Sequence, residues 1–211
     1  MKEAKFEFKI ALIGSTNAGK SSLIERFLAN KYETTLSTIG TYVAFKDINI
    51  IVTKNNKQKL IKVKLKISDT AGQERFKSLA PVYIKNAHCI VFVIDLFSES
   101  DYKEFNYWLN EINENKQSKS LYVICGTKID LDDRNDRVFD FQFFDEFIRN
   151  EKGYYFETSS KLNKGIDEMF YFIAEECYNL FHEDIILNKK LERISHLSNH
   201  NNNKKNDVKG C

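Results

Sequence analysis

Residues Ile10–Ser22 read IALIGSTNAGKSS, and within them Gly14, Gly19, Lys20 and Ser21 stand at the spacing GxxxxGK[ST]. Those residue types at that spacing suit a polyphosphate. The glycines let the backbone of Ser15, Thr16, Asn17 and Ala18 wrap round a phosphate with its N–H groups turned inward. Lys20 neutralises β- and γ-phosphate oxygens, and the Ser21 hydroxyl is a ligand for Mg²⁺. Ser22 then opens a helix whose positive N-terminal end faces the same phosphates. A plain glycine turn with no ligand is the alternative. It is disfavoured because the strand before and the helix after, which the motif requires, are both present.

Three further stretches carry chemistry. In Asp69-Thr70-Ala71-Gly72-Gln73, an acid at a strand end can hold Mg²⁺ directly or through water. Gly72 lets a backbone N–H approach a γ-phosphate, and Gln73 can orient water for in-line attack. In Thr127-Lys128-Ile129-Asp130, the carboxylate can accept two N–H bonds from a guanine edge, and the lysine stem can cover the base. In Glu157-Thr158-Ser159-Ser160-Lys161, small residues leave backbone N–H groups able to donate to a base carbonyl. Each is weak alone, but their order at successive strand ends is not.

The elements that must position these loops are legible. Ile61, Val63, Leu65 and Ile67 alternate with Lys62, Lys64 and Lys66, a strict period of two that predicts a strand in a hairpin at a sheet edge. Continuous apolar runs at 89–96 and 121–126 predict buried strands. Between them Phe105, Trp108, Leu109 and Ile112 recur at helical spacing. The phenylalanines of 139–147 read as packing rather than an aromatic ligand box. A short strand over 154–157 precedes a last helix, 166–181, with Ile166, Phe170, Ile173, Cys177 and Leu180 on one face. Beyond Asp184 the pattern decays, and the Asn-rich 199–206 is expected to be disordered. Strands alternating with amphipathic helices imply an α/β fold with a mainly parallel sheet, ligands lying at the carboxyl ends of its strands.

Bulk properties narrow the class. The 211 residues are 42% hydrophobic and 29% charged, with no apolar run approaching a membrane span. The net charge of +2 is uneven: residues 187–211 hold six lysines and arginines against two acids. The remaining body is slightly acidic, which argues against a nucleic-acid surface, while the basic tail can favour an anionic membrane. Cys89, Cys125, Cys177 and Cys211 show no pairing pattern, as in a reducing cytosolic setting.

Together, GSTNAGKS (14–21), STIG (37–40), DTAGQERF (69–76), TKID (127–130) and ETSSK (157–161) resemble the five nucleotide loops of Ras-like small GTPases over about residues 5–182. RFKSLAPVYIKNA (75–87) and VIDL (93–96) are similar to the Rab branch, and SLAP to its early-endosomal members. The resemblance implies a P-loop NTPase fold of Ras-like G-domain type. That is a six-stranded, mostly parallel sheet with one antiparallel edge strand and helices on both faces, occupying 1–186, with a flexible basic tail over 187–211. It implies a GTP/GDP switch for vesicle traffic on the cytosolic face of endosomal membranes. Exchange factors, activating proteins, effectors and a GDP-dissociation inhibitor or escort protein would be its partners. By the same resemblance Ser21 and Thr38 would ligate Mg²⁺, Asp69 would hold it through water, Gln73 would place the attacking water, and Tyr32 would cover the guanine edge. No arginine occurs in 30–40 to act in cis, so unaided hydrolysis should be slow, and an activating protein adds about 10³–10⁵ in rate in related systems.

Departures from the family pattern are equally specific. Thr127 replaces the usual asparagine and is too short to bond both base and phosphate loop, which predicts weaker or faster-exchanging nucleotide. Thr16 stands near the γ-phosphate where small residues are usual. The 41–68 hairpin is about eight residues longer than in close relatives, and Ser68 replaces a tryptophan of the Rab effector patch, to which Tyr83 alone clearly matches. The chain ends VKGC, so Cys211 is a single candidate lipidation site. One lipid chain binds membranes only marginally without a second signal, for which Lys204, Lys205 and Lys209 are candidates. Thr16 and Thr127 also motivate a rival reading, a non-hydrolysing, nucleotide-locked interaction module. Intact Gln73 favours turnover, and Asp130 disfavours an ATP-using kinase.

Overall fold

The computed structural model describes residues 6–32, 42–54, 56–69, 82, 84–115, 119–134 and 136–206. Six strands form one sheet: β1 (Phe6–Ile13), β2 (Tyr42–Lys54), β3 (Lys57–Asp69), β4 (Cys89–Asp95), β5 (Leu121–Thr127) and β6 (Tyr154–Glu157), in the spatial order β2-β3-β1-β4-β5-β6. β2 pairs antiparallel with β3, from Tyr42 opposite Asp69 to Lys54 opposite Lys57, and every other pairing is parallel. β1, β3, β4, β5 and β6 therefore all end at the same edge of the sheet, and the chemistry-bearing loops follow those ends.

Burial follows the side-chain patterns. In β1, Phe6 and Phe8 are buried while Glu7 and Lys9 are exposed, and from Ile10 onward every residue is buried. In β3, Ile61, Val63, Leu65 and Ile67 face the core and the intervening lysines are half-buried on the other face. The edge strand is β2, because β3 is flanked on both sides. The hairpin thus lies at the sheet edge, as its sequence implies, with β2 outermost and the lysine row of β3 one strand in.

Helices α1 (Lys20–Ala29) and α4 (Ile166–Asn206) cover one face, where Phe27 stacks on Phe170 with ring centroids 4.1 Å apart. Helices α2 (Ser100–Asn115) and α3 (Phe141–Glu151) cover the other. There Phe105 meets Phe92 and Phe144 edge-on, and Phe139, Phe144 and Phe147 of the phenylalanine-rich stretch pack into the core while Phe141 and Phe143 are exposed. Asp140 caps α3 by accepting the Phe143 N–H at 3.2 Å. Cys89, Cys125 and Cys177 are buried and unpaired, and burial raises the pKa of each thiol.

Helix α4 departs from the sequence expectation twice. Its buried stripe is Ile166, Met169, Phe170, Ile173, Ala174, Cys177 and Phe181, whereas Leu180 is exposed. Leu180 and Phe181 stand three and four residues past Cys177, so the helical period admits either and packing takes Phe181 inward. The helix also continues to Asn206 instead of decaying after Asp184. No glycine or proline lies between Gly165 and Gly210, so nothing in the chain interrupts it. Ile185 and Ile186 pack against the core, and Asp184 pairs with Lys119 at 2.7 Å.

Candidate functional site: a nucleotide pocket at the strand ends

The loop after β1 is held by its glycines and its lysine. Gly14 has φ +145°, and a Cβ there would lie 2.1 Å from the Val93 carbonyl oxygen, so the approach of loop to β4 requires glycine. Gly19 has φ +99° and opens α1. Ala18 is buried, and Thr16 and Asn17 are exposed on the rim, Asn17 with φ 65°. Lys20 is buried, its Nζ donating to the carbonyls of Gly14 at 3.0 Å and Ser15 at 2.6 Å. Burial lowers its pKa to about 8, opposed by the carboxylates of Asp69, Asp101 and Glu104. A phosphate beside it would supply countercharge and favour the protonated form.

Asp69, at the end of β3, is 1% exposed, and burial raises its pKa. Its Oδ2 accepts from Ser21 Oγ at 2.5 Å, while its Oδ1 is buried without a hydrogen-bond partner among the described residues. A desolvated carboxylate oxygen without a donor is costly alone, and beside a serine hydroxyl it suits a hard, oxygen-seeking cation. These residues fit Mg²⁺.

A second hollow, about 290 Å³ in volume, is lined by Tyr32, Thr127, Lys128, Asp130, Ser160 and Lys161, with Gly19 and Ser22 at its phosphate side. Asp130 Oδ1 accepts from the buried Ser159 at 2.6 Å, and Lys161 Nζ lies 3.9 Å from Oδ2. The Asp130 carboxylate is thus oriented from behind. Thr127, 4% exposed, donates its hydroxyl to the Ala18 carbonyl at 2.7 Å or the Ile94 carbonyl at 3.1 Å. Its one proton is spent on the scaffold.

Sequence spacing did not reveal three supporting residues. Arg26 of α1 donates to the Ser160 carbonyl at 2.7 Å and sits 5.9 Å from the centre of the Tyr32 ring. Asp95, ending β4, holds Lys128 Nζ at 2.6 Å. Asp101 bonds Ser15. Each acts on a partner at least 33 positions away, so no local pattern marks it. Thr38, Gly72, Gln73, Tyr83 and Cys211 lie outside the described residues.

The family model for the Ras family matches residues 9–179. Ras-related protein Rab-30 of Homo sapiens is 35% identical over 175 residues, covering 82% of this chain and 81% of its own length. GTP-binding protein YPT52 of Saccharomyces cerevisiae is 30% identical over 208 residues, covering 89% and 88%. GTP-binding protein ypt5 of Schizosaccharomyces pombe is 32% identical over 169 residues, covering 80% and 76%. The chain belongs to the Ras family and, within it, to the Rab small GTPases. It is accordingly a GTP-hydrolysing small GTPase of vesicle traffic, binding GTP and GDP and working with the regulators and effectors general to that family.

Proposed function

We propose that this chain is a Mg²⁺-dependent GTP/GDP switch that recruits effectors on endosomal membranes. The observation that carries the site assignment is the buried Asp69 Oδ1, without a hydrogen-bond partner among the described residues, beside Ser21 and near Lys20 at the mouth of the phosphate loop. Ser21 and Thr38 would ligate the cation and Asp69 would hold it through water, and bound Mg²⁺ would supply charge neutralisation to the phosphates. The backbone of Ser15–Gly19 and the Lys20 ammonium grip the phosphates, and Ser22 borders them at the start of α1. Asp130 reads the guanine edge, the Lys128 stem and Tyr32 cover the base, and the loop of Ser159, Ser160 and Lys161 serves its carbonyl. Thr38 and Gly72 hold their loops while the γ-phosphate is present and release them after hydrolysis. Gln73 orients the attacking water.

An exchange factor, an activating protein and an escort or GDP-dissociation inhibitor complete the cycle. Lipidation of Cys211, with Lys204, Lys205 and Lys209 as the second signal, places the protein peripherally on the cytosolic face of endosomal membranes. The similarity of SLAP to early-endosomal Rabs supports that compartment. Single-turnover hydrolysis of GTP by wild type and Gln73→Leu tests the switch. Slow hydrolysis in the wild type, lost on substitution and on chelation of Mg²⁺, is expected. Retained GTP in the wild type, unchanged by the substitution, would make the chain a nucleotide-locked module with Thr16 as the first suspect.

A further inference from the structure

Ser15, the residue after Gly14, and Asp101, in the first turn of α2, are 86 positions apart, and both are buried, at 7% and 3% exposure. Ser15 Oγ donates to Asp101 Oδ1 at 2.6 Å. The same carboxylate accepts the Asp95 backbone N–H through Oδ2 at 2.9 Å, and its Oδ1 also receives the Ser98 and Ser100 hydroxyls at 3.1 and 3.4 Å. Burial raises the Asp101 pKa, and the bonds from Ser15, Asp95 and Ser98 oppose that rise. Four donors and the N-terminal end of α2 thus hold this carboxylate in a water-poor place. Its partners belong to both halves of the nucleotide site. The Ser15 carbonyl receives Lys20 Nζ, and the Asp95 carboxylate receives Lys128 Nζ.

We propose that Asp101 is a positioning residue of the phosphate loop. By accepting the Ser15 hydroxyl it fixes the first turn of that loop against the end of β4. It thereby sets where the loop N–H groups and the Lys20 ammonium meet the nucleotide phosphates. Asp101 touches no nucleotide itself. It lies outside every nucleotide-loop stretch of the sequence, and Ser15 reaches the ligand only through its backbone. The charge-assisted bond acts on the grip of the phosphates, and through Asp95 the same post steadies the base loop. This inference rests on the reading of the loop as the phosphate site.

The test is the release rate of a fluorescent GDP analogue from the full chain, measured for Ser15→Ala, Asp101→Asn, the two combined, and the exchanged pair Ser15→Asp with Asp101→Ser. A lost charge-assisted bond predicts release roughly 10- to 100-fold faster in each single variant. The combined variant should be no faster than the worse single one, because both remove the same bond. The exchanged pair keeps one hydroxyl and one carboxylate and should return release to within a few-fold of wild type, a rescue that a merely structural loss would not show. Thermal unfolding of each variant identifies any that fails to fold, and Asp101→Asn keeps the shape where a smaller residue would leave a hole. Multiplicative effects of the two single substitutions, or unchanged release in folded Asp101→Asn, would overturn the proposal. A wild-type chain that retains no guanine nucleotide would instead overturn the functional reading on which it rests.

Discussion

At the scale of single residues, the guanine loop turns on how one hydroxyl proton is used. Thr127 donates its one proton to the Ala18 or Ile94 carbonyl, both scaffold atoms, and has no second donor to offer a base. The tie to the phosphate loop thus uses the donor that a base contact would need. Thr127→Val, nearly the same shape, removes the donor and strands a buried carbonyl, a loss of about 1–3 kcal/mol that should speed nucleotide release. Thr127→Asn adds an amide able to serve loop and base together and should slow it. Stopped-flow release of a fluorescent GDP analogue from both variants checks the two directions. The reach of threonine was readable from sequence, as were Lys20, Ser21, Asp69 and Asp130, because their types and spacing are local. Arg26, Asp95 and Asp101 were not, because each takes its meaning from a partner far along the chain.

At the scale of elements, the seam between β1 and β4 contains a titratable latch. His88, just before β4, gives its backbone N–H to the Lys9 carbonyl at 2.8 Å and accepts the Lys9 backbone N–H on ring Nδ1 at 2.9 Å. Its ring lies edge-on to Phe8 and Phe181, with centroids 5.7 and 4.9 Å away. Burial first, and the Lys9 charge second, hold the imidazole below its ordinary pKa. Above the unfolded-state pKa, near 6.5, both states are neutral and the latch adds no pH dependence. Below it the unfolded chain binds a proton that the folded chain resists, so stability falls with pH until the folded imidazole titrates too. Urea unfolding at pH 7.5 and 5.5 should therefore show a larger loss for wild type than for His88→Asn, which keeps an acceptor but does not titrate. An equal loss in both would remove His88 from the account. Strand positions were legible through alternation and apolar runs. The course of α4 was less so, because Leu180 and Phe181 are equally apolar and only packing decides which one enters the core. The asparagine-rich stretch looked disordered by composition, yet contains no helix breaker.

At the scale of the whole molecule, five parallel strands bring to one edge the loops that sequence order had scattered over more than 140 residues. Among the described residues no helix is long and apolar enough to cross a membrane. The body is slightly acidic, and the positive charge gathers in 187–211, next to the proposed lipid site at Cys211. On the proposed function, the hollow beside Tyr32 selects guanine through the Asp130 carboxylate, the Thr127 proton being engaged on the scaffold. Competition of GTP, ATP and XTP against bound fluorescent GDP, for wild type and Asp130→Asn, measures this most directly. Guanine presents two N–H donors to the carboxylate, whereas xanthine replaces one of them with a carbonyl that an amide can serve. Displacement by GTP alone is expected in the wild type, and a shift of preference toward XTP in Asp130→Asn. Displacement of GDP by ATP at equal concentration, or an unchanged guanine preference in Asp130→Asn, would contradict it.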